Sequence, residues 1–290
     1  MGHSLALLRL SAKSYTLGRR LKGYKEQDDK NWRGCSHSFG SAQTYALVNA
    51  YPTISDGIVL TGFSTNASFF GYFAAGGAFV QANLNQPFRF GNLSASTAET
   101  VLNMYSLTNL VAGVALSPGL DYPGGYLTNT DASSNQYLFL LPGYFDPMLL
   151  LYAEETKQPV TPGELLTIGS LPPVNEFAGP VLVIAGCESD LDASIEDSML
   201  TPFPANDLPF CGGNCLATGN ASVPSIPATV ALSFRKVPSN NFEAYIQPNT
   251  GHGINLHYNA TGAYDVINNF LNAKVWCLAE PKVLVGLNDV

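Results

Sequence analysis

Two short, uninterrupted apolar runs constrain this chain more than any other feature: Gly57-Ile58-Val59-Leu60-Thr61 and Val181-Leu182-Val183-Ile184-Ala185. A strand that alternates apolar and polar residues buries one face. A run that is apolar throughout buries both, which is the signature of a central strand in a parallel sheet covered by helices on either side. We read such strands at 57–64 and 180–186, and a third strand at 242–247 that ends at Pro248. A helix is read at 42–50, where small and apolar residues stop at Tyr51-Pro52. Another is read at 264–273, with Val266, Ile267, Phe270 and Leu271 at helical spacing. The class is α/β, a parallel sheet flanked by helices.

The first two strands are separated by a long stretch, about 65–179, rich in Phe, Tyr, Leu, Gly and Asn. Helical patterns occur in it at 98–111 and 145–155, and no buried-strand run does. It reads as a mostly helical lid inserted over the sheet. Charge marks a second boundary. Eight of the 14 Lys and Arg lie in residues 1–33 with only three acids, a net of +5 against −8 for the whole chain of 290 residues. Residues 1–33 are therefore expected to form a basic arm outside the core, and 34–290 the core with its lid.

The acidic balance argues against a nucleic-acid partner, which requires clustered Lys and Arg. No run of 18 apolar residues is present, so no membrane span is expected. Residues 5–10 are apolar but interrupted by Arg9, a poor signal peptide. Four N-x-S/T sequons, at Asn66, Asn92, Asn220 and Asn259, lean towards a secreted glycoprotein whose signal peptide is absent here. Of the five cysteines, Cys211 and Cys215 flank Gly212-Gly213-Asn214 and can close a small disulfide loop. No second C-x-x-C or His pair suggests zinc.

Ser36-His37-Ser38-Phe39-Gly40-Ser41 fits the G-x-S-x-G nucleophile elbow loosely, with Ser36 in place of the first glycine. A sharp strand-to-helix turn exposes the serine hydroxyl, and small residues two before and two after let the turn pack. The following helix points its N-terminus at the site, so the Phe39 amide is the expected oxyanion donor. Four histidines exist. His3 lies in the arm, and His37 is expected to point away from its neighbour Ser38. Thr250-Gly251-His252-Gly253 follows the third strand, and the chain order Ser, Asp, His selects His252 over His257 as the base. The acid is open among Asp190, Asp192 and Asp207. Proximity to the strand at 180–186 favours Asp190.

These residues resemble fungal α/β-hydrolases of the AB hydrolase-1 type over about 34–275. The resemblance rests on residues 36–41, on Leu60-Thr61-Gly62-Phe63-Ser64, on 135–140 and 157–161, on the strand at 180–184, on the run from Asn206 to Cys215, and on Gly251-His252-Gly253. It implies a serine esterase or lipase-like enzyme with triad Ser38, Asp207 and His252, no cofactor, and a small apolar ester or peptide-like substrate. It favours Asp207 because Asp-x-Pro-Phe-Cys-Gly-Gly matches the tail that such proteins place after the strand. About twenty residues separate Asp207 from Gly186, so 187–205 reads as an insertion, a retained intron or a lineage-specific loop. Only 37 residues precede Ser38, and 25–33 are too polar for a buried strand leading into the elbow. The expectation is an N-terminally truncated hydrolase lacking part of its sheet and one oxyanion donor. The alternatives are an inactive fragment and a ligand-binding pseudo-hydrolase.

Overall fold

The computed structural model describes residues 33–91, 122–187 and 207–276. The arm up to residue 32, the helix expected at 98–111, Asn92, Asp190, Asp192, Cys277 and nearly all of the expected insertion lie outside them.

In chain order the elements are β1 (Arg33–His37), α1 (Phe39–Ala50), β2 (Gly57–Thr61), α2 (Phe70–Gly77), β3 (Val80–Gln81), α3 (Ala82–Asn85), α4 (Pro87–Phe90), β4 (Leu127–Thr128), α5 (Ala132–Phe139), α6 (Pro147–Thr156), α7 (Pro162–Thr167), β5 (Val181–Cys187), α8 (Leu208–Cys211), α9 (Ile226–Thr229), β6 (Phe242–Pro248) and α10 (Ala260–Phe270). A π-helical turn, Leu271–Trp276, extends α10. Strands β1, β2, β5 and β6 form one parallel sheet in that spatial order. All five residues of β2 and all seven of β5 are buried.

The double-sided burial inferred from the apolar runs is realised residue by residue. Ile58, Leu60, Val181 and Val183 face one core with Tyr45 and Val48 of α1, Phe177, Phe210 and Phe234. Val59, Leu182 and Ile184 face the other, with Ala263 and Phe270 of α10. Successive side chains of a strand point to opposite faces, so a strand covered by helices on both sides must be apolar at every position.

A strand that the sequence did not suggest, β1, leads into the elbow; of the polar run at 25–33 only Arg33 belongs to it, and 25–32 lie outside the described residues. Its sequence, Arg33-Gly34-Cys35-Ser36-His37, carries no apolar run, yet it pairs with β2 from Arg33↔Gly57 to His37↔Thr61. Among the described residues β1 is a margin of the sheet, and Cys35 is exposed. The strand begins at Arg33, one residue before the expected boundary at 34.

Among the described residues, the connection between β2 and β5 carries helices α2 to α7 and adds a ladder that the sequence did not suggest. Strands β3 and β4 pair antiparallel over two residues each, too short for any periodic pattern.

Candidate active site

The site begins at the turn between β1 and α1. Ser38 has φ 54° and ψ −122°, a backbone conformation that is strained for any residue with a side chain. Two bonds from neighbouring β2 secure the turn: the Ser38 amide donates to the Thr61 carbonyl at 2.8 Å, and Ser41 Oγ donates to the same oxygen at 2.9 Å. Helix α1 starts three residues earlier than the sequence pattern indicates, because the Ser38 carbonyl accepts the Ser41 and Ala42 amides. Ser38 thus occupies the N-cap position, where a serine ordinarily turns its hydroxyl onto the first helical amides. Here its side chain makes no capping bond. The hydroxyl lies 2.6 Å from His252 Nε2 instead. Phe39 is the first residue of α1, so its amide is one of the first-turn N–H groups with no intrahelical acceptor.

His252 follows β6 on a loop that turns at Asn249, whose φ is 56°. The Asn249 amide donates to Cys187 at the end of β5, at 2.8 Å. A Cβ at Gly186 would lie 2.3 Å from the Gly251 carbonyl oxygen, so β5 admits this loop only because residue 186 has no side chain. His252 is fully buried, and its Nδ1 is 2.9 Å from Asp207 Oδ1, also fully buried. Since a carboxylate only accepts, Nδ1 carries the ring proton and Nε2 is free to accept from Ser38. Ring centroids of His37, Phe139 and Phe210 lie 5.0, 5.8 and 5.7 Å from that of His252.

Asp207 reaches this position despite its distance in sequence from β5. Its amide donates to the Gly186 carbonyl at 3.2 Å, which returns the chain to the end of the strand. It then opens α8, and Cys211 is disulfide-bonded to Cys215, as the spacing allowed. Cys215 in turn packs on Gly186. The bridge closes only a five-residue loop, so replacing Cys215 by serine is expected to cost about 2 kcal/mol. Urea unfolding of the variant beside the parent protein checks this.

His37 departs from expectation. Its ring does not turn away from the site but lies beside His252. Its Nδ1 is 3.0 Å from Thr61 Oγ1, and that hydroxyl donates to the Ser36 carbonyl at 3.0 Å, so the His37 nitrogen is the donor. Burial first, and the neighbouring His252 second, push His37 from its ordinary 6.5 down to about 3. Burial also lowers His257. The native protein therefore binds fewer protons than the unfolded chain as pH falls below 6.5, and stability is lost from there downward. A melting curve recorded from pH 7 to pH 3.5 should show Tm falling steadily, and less steeply in His37→Gln.

Gly62, at φ 54°, fits against both imidazoles: a Cβ there would lie 2.7 Å from His37 Cε1 and 2.9 Å from His252 Cε1. Sequence reasoning missed Gly62, His37 and His257. For Gly62 the signal was a glycine directly after an apolar strand. For His257 it was a second histidine five residues past His252.

Among the sequons, Asn220 is exposed, Asn66 is half-buried, and Asn259 Nδ2 donates to the Pro248 carbonyl at 3.0 Å. Among the described residues, no group of three or more His, Cys, Asp or Glu is arranged to hold a metal ion, and no helix is long and apolar enough to cross a membrane.

A parallel sheet flanked by helices, a strand–turn–helix elbow presenting a serine, and an acid and a histidine beyond the ends of β5 and β6 constitute a partial α/β-hydrolase fold. No protein-family model matches the chain, and no curated protein matches it. Solved structures similar to it include a lipase in its open form, 12% identical, matched over 90% of this chain and 70% of the lipase with a TM-score of 0.42. A protein described as the non-heme bromoperoxidase BpoC of Mycobacterium tuberculosis H37Rv is 14% identical over 83% of this chain, with a TM-score of 0.39. Tomato methylketone synthase I, complexed with 2-tridecanone, is 10% identical over 84% of this chain and 72% of its own, with a TM-score of 0.38. The chain spans 66% of the bromoperoxidase's length and 65% of that of Rv0554, also from Mycobacterium tuberculosis.

Proposed function

We propose that this chain is a serine hydrolase acting on carboxylic esters. One observation carries the reading: a continuous hydrogen-bonded line runs from Asp207 Oδ1 through both nitrogens of His252 to a strained, uncapped Ser38 hydroxyl, at 2.9 and 2.6 Å. Ser38 Oγ attacks the ester carbonyl carbon as its proton passes to His252 Nε2. Asp207 holds the ring by its Nδ1 proton and stabilises the imidazolium. The Phe39 amide donates to the oxyanion of the tetrahedral intermediate. The intermediate collapses, the alcohol leaves with the proton from His252, and Ser38 remains acylated. Water, deprotonated by the same Nε2, then attacks the acyl carbonyl. The acid departs and Ser38 recovers its proton.

The aromatic rings flanking His252, Phe139 from the helical connection and Phe210 from α8, favour an apolar acyl or alcohol group and the exclusion of water. In this reading the connection between β2 and β5 serves as the lid.

A fluorophosphonate probe tests the proposal directly, since an activated serine attacks its phosphorus, expels fluoride and becomes phosphonylated. Stoichiometric labelling at Ser38, lost in Ser38→Ala, supports it. A folded, purified protein that takes no label would overturn it in favour of an inactive or purely binding protein.

A further inference from the structure

His257 lies five residues past His252, buried, and takes no part in the mechanism above. Its Nδ1 is 2.9 Å from the Gly253 carbonyl, which can only accept, so this nitrogen carries the proton. Its Nε2 then accepts two backbone amides at once, Gly251 at 3.0 Å and Leu141 at 2.9 Å. Gly251 and Gly253 are the two neighbours of His252. Leu141 belongs to the segment that leaves α5, within the connection between β2 and β5. Two further backbone bonds join the same partners: the Gly253 amide donates to Phe139 at 2.8 Å, and the Tyr258 amide to Tyr144 at 2.9 Å. The Phe139 ring also stacks on that of His252.

We propose that His257 is a positioning residue, which clamps both flanks of His252 and ties them to residues 139–144, so that the imidazole of His252 stays aimed at Ser38. The proposal rests on the reading of His252 as the base. Glycine on either side lets the loop reach the sheet edge but leaves it free to swing. One neutral imidazole, bonded to residue 251 on one side and residue 253 on the other, removes that freedom. The clamp needs the neutral ring, because a proton on Nε2 would face two N–H donors. Burial holds His257 below its ordinary value, against the backbone carbonyls of Gly253 and Ile254, which favour the proton.

Two substitutions divide the ring's roles. His257→Gln retains an acceptor near the place of Nε2 and loses the donor. His257→Asn retains a donor near Nδ1 and loses the acceptor of two amides. The first readout is independent of any reaction: the exchange rate of the His252 Nδ1 proton, followed by NMR and assigned by its loss in His252→Ala. The second is the rate of fluorophosphonate labelling. In folded His257→Asn the ring proton should exchange about tenfold faster, reflecting two lost backbone bonds. Labelling should slow by roughly 10- to 100-fold. His257→Gln should stay within about threefold of the parent in both, because two clamp bonds survive.

A folded His257→Asn with unchanged ring-proton exchange overturns the proposal, as does equal loss in both variants. If His257→Asn does not fold, His257→Gln decides. Protected Leu141 and Gly251 amides together with a parent-like ring proton support the clamp. Unprotected amides beside an unchanged ring proton refute it. A parent protein that takes no label but shows the expected ring-proton response leaves the clamp standing and removes only the hydrolase reading.

Discussion

His252→Ala is expected to lower the rate of Ser38 acylation by roughly 10⁴- to 10⁶-fold, the range seen when the base of a serine triad is removed. The same substitution should also destabilise the protein, which distinguishes it from Ser38→Ala. His252 is fully buried among three rings, so the truncation opens a cavity. It also strands Asp207. The Oδ1 of that carboxylate loses its imidazole partner, and Oδ2 has no partner among the described residues. A buried acceptor deprived of its donor costs about 1–3 kcal/mol. Ser38→Ala removes one oxygen of a half-buried residue and leaves Asp207 bonded. The pair should therefore separate in a melting experiment while both fail to label. Equal labelling by His252→Ala and the parent protein would remove His252 from the chemistry.

The second large effect is expected at a residue with no functional group. Gly62→Ala should reduce labelling of Ser38 by about 100-fold or more. Its new Cβ would overlap the edge of the His252 ring, with 2.9 Å to Cε1 and 3.0 Å to Nδ1, and would crowd His37 from the other side. The ring cannot yield towards Phe139 or Phe210 without losing the 2.6 Å bond to Ser38 or the 2.9 Å bond to Asp207. Position 62 also has a positive φ, so part of the effect is backbone strain of about 1–2 kcal/mol. Gly143→Ala separates the two causes. Gly143 has φ 85° and nothing within 4 Å of the added carbon. It should lose a similar amount of stability and keep its labelling rate. If Gly62→Ala behaves like Gly143→Ala, the collision argument is wrong.

The buried strands were legible because burial on both faces leaves no room for polar residues, and the runs at 57–61 and 181–185 carry that imprint directly. The association of Ser38 with His252 was legible from chain order and from glycine around the histidine. Strand β1 was not, since its small and polar residues, Arg33-Gly34-Cys35-Ser36-His37, carry no hydrophobic pattern to detect. Nor was the approach of Asp207 derivable from distance along the chain. It depends on a backbone bond to Gly186, and only the Asp-x-Pro-Phe-Cys-Gly-Gly match pointed to it. His37 was misjudged because side-chain direction next to a strained residue does not follow ordinary strand alternation: Ser38 breaks the pleat, and Gly62 opens the space into which the His37 ring fits.

The dihedral angles at Ser38 carry a consequence for anyone selecting sturdier variants of this protein. A residue with a side chain held there costs of order 1–3 kcal/mol, and glycine alone is at ease in that region. A screen that scores only survival on heating would be drawn to glycine at position 38. It would then enrich proteins that fold better and lack the hydroxyl on which the proposed hydrolysis depends, because resilience and the proposed reactivity make opposite demands on one peptide unit.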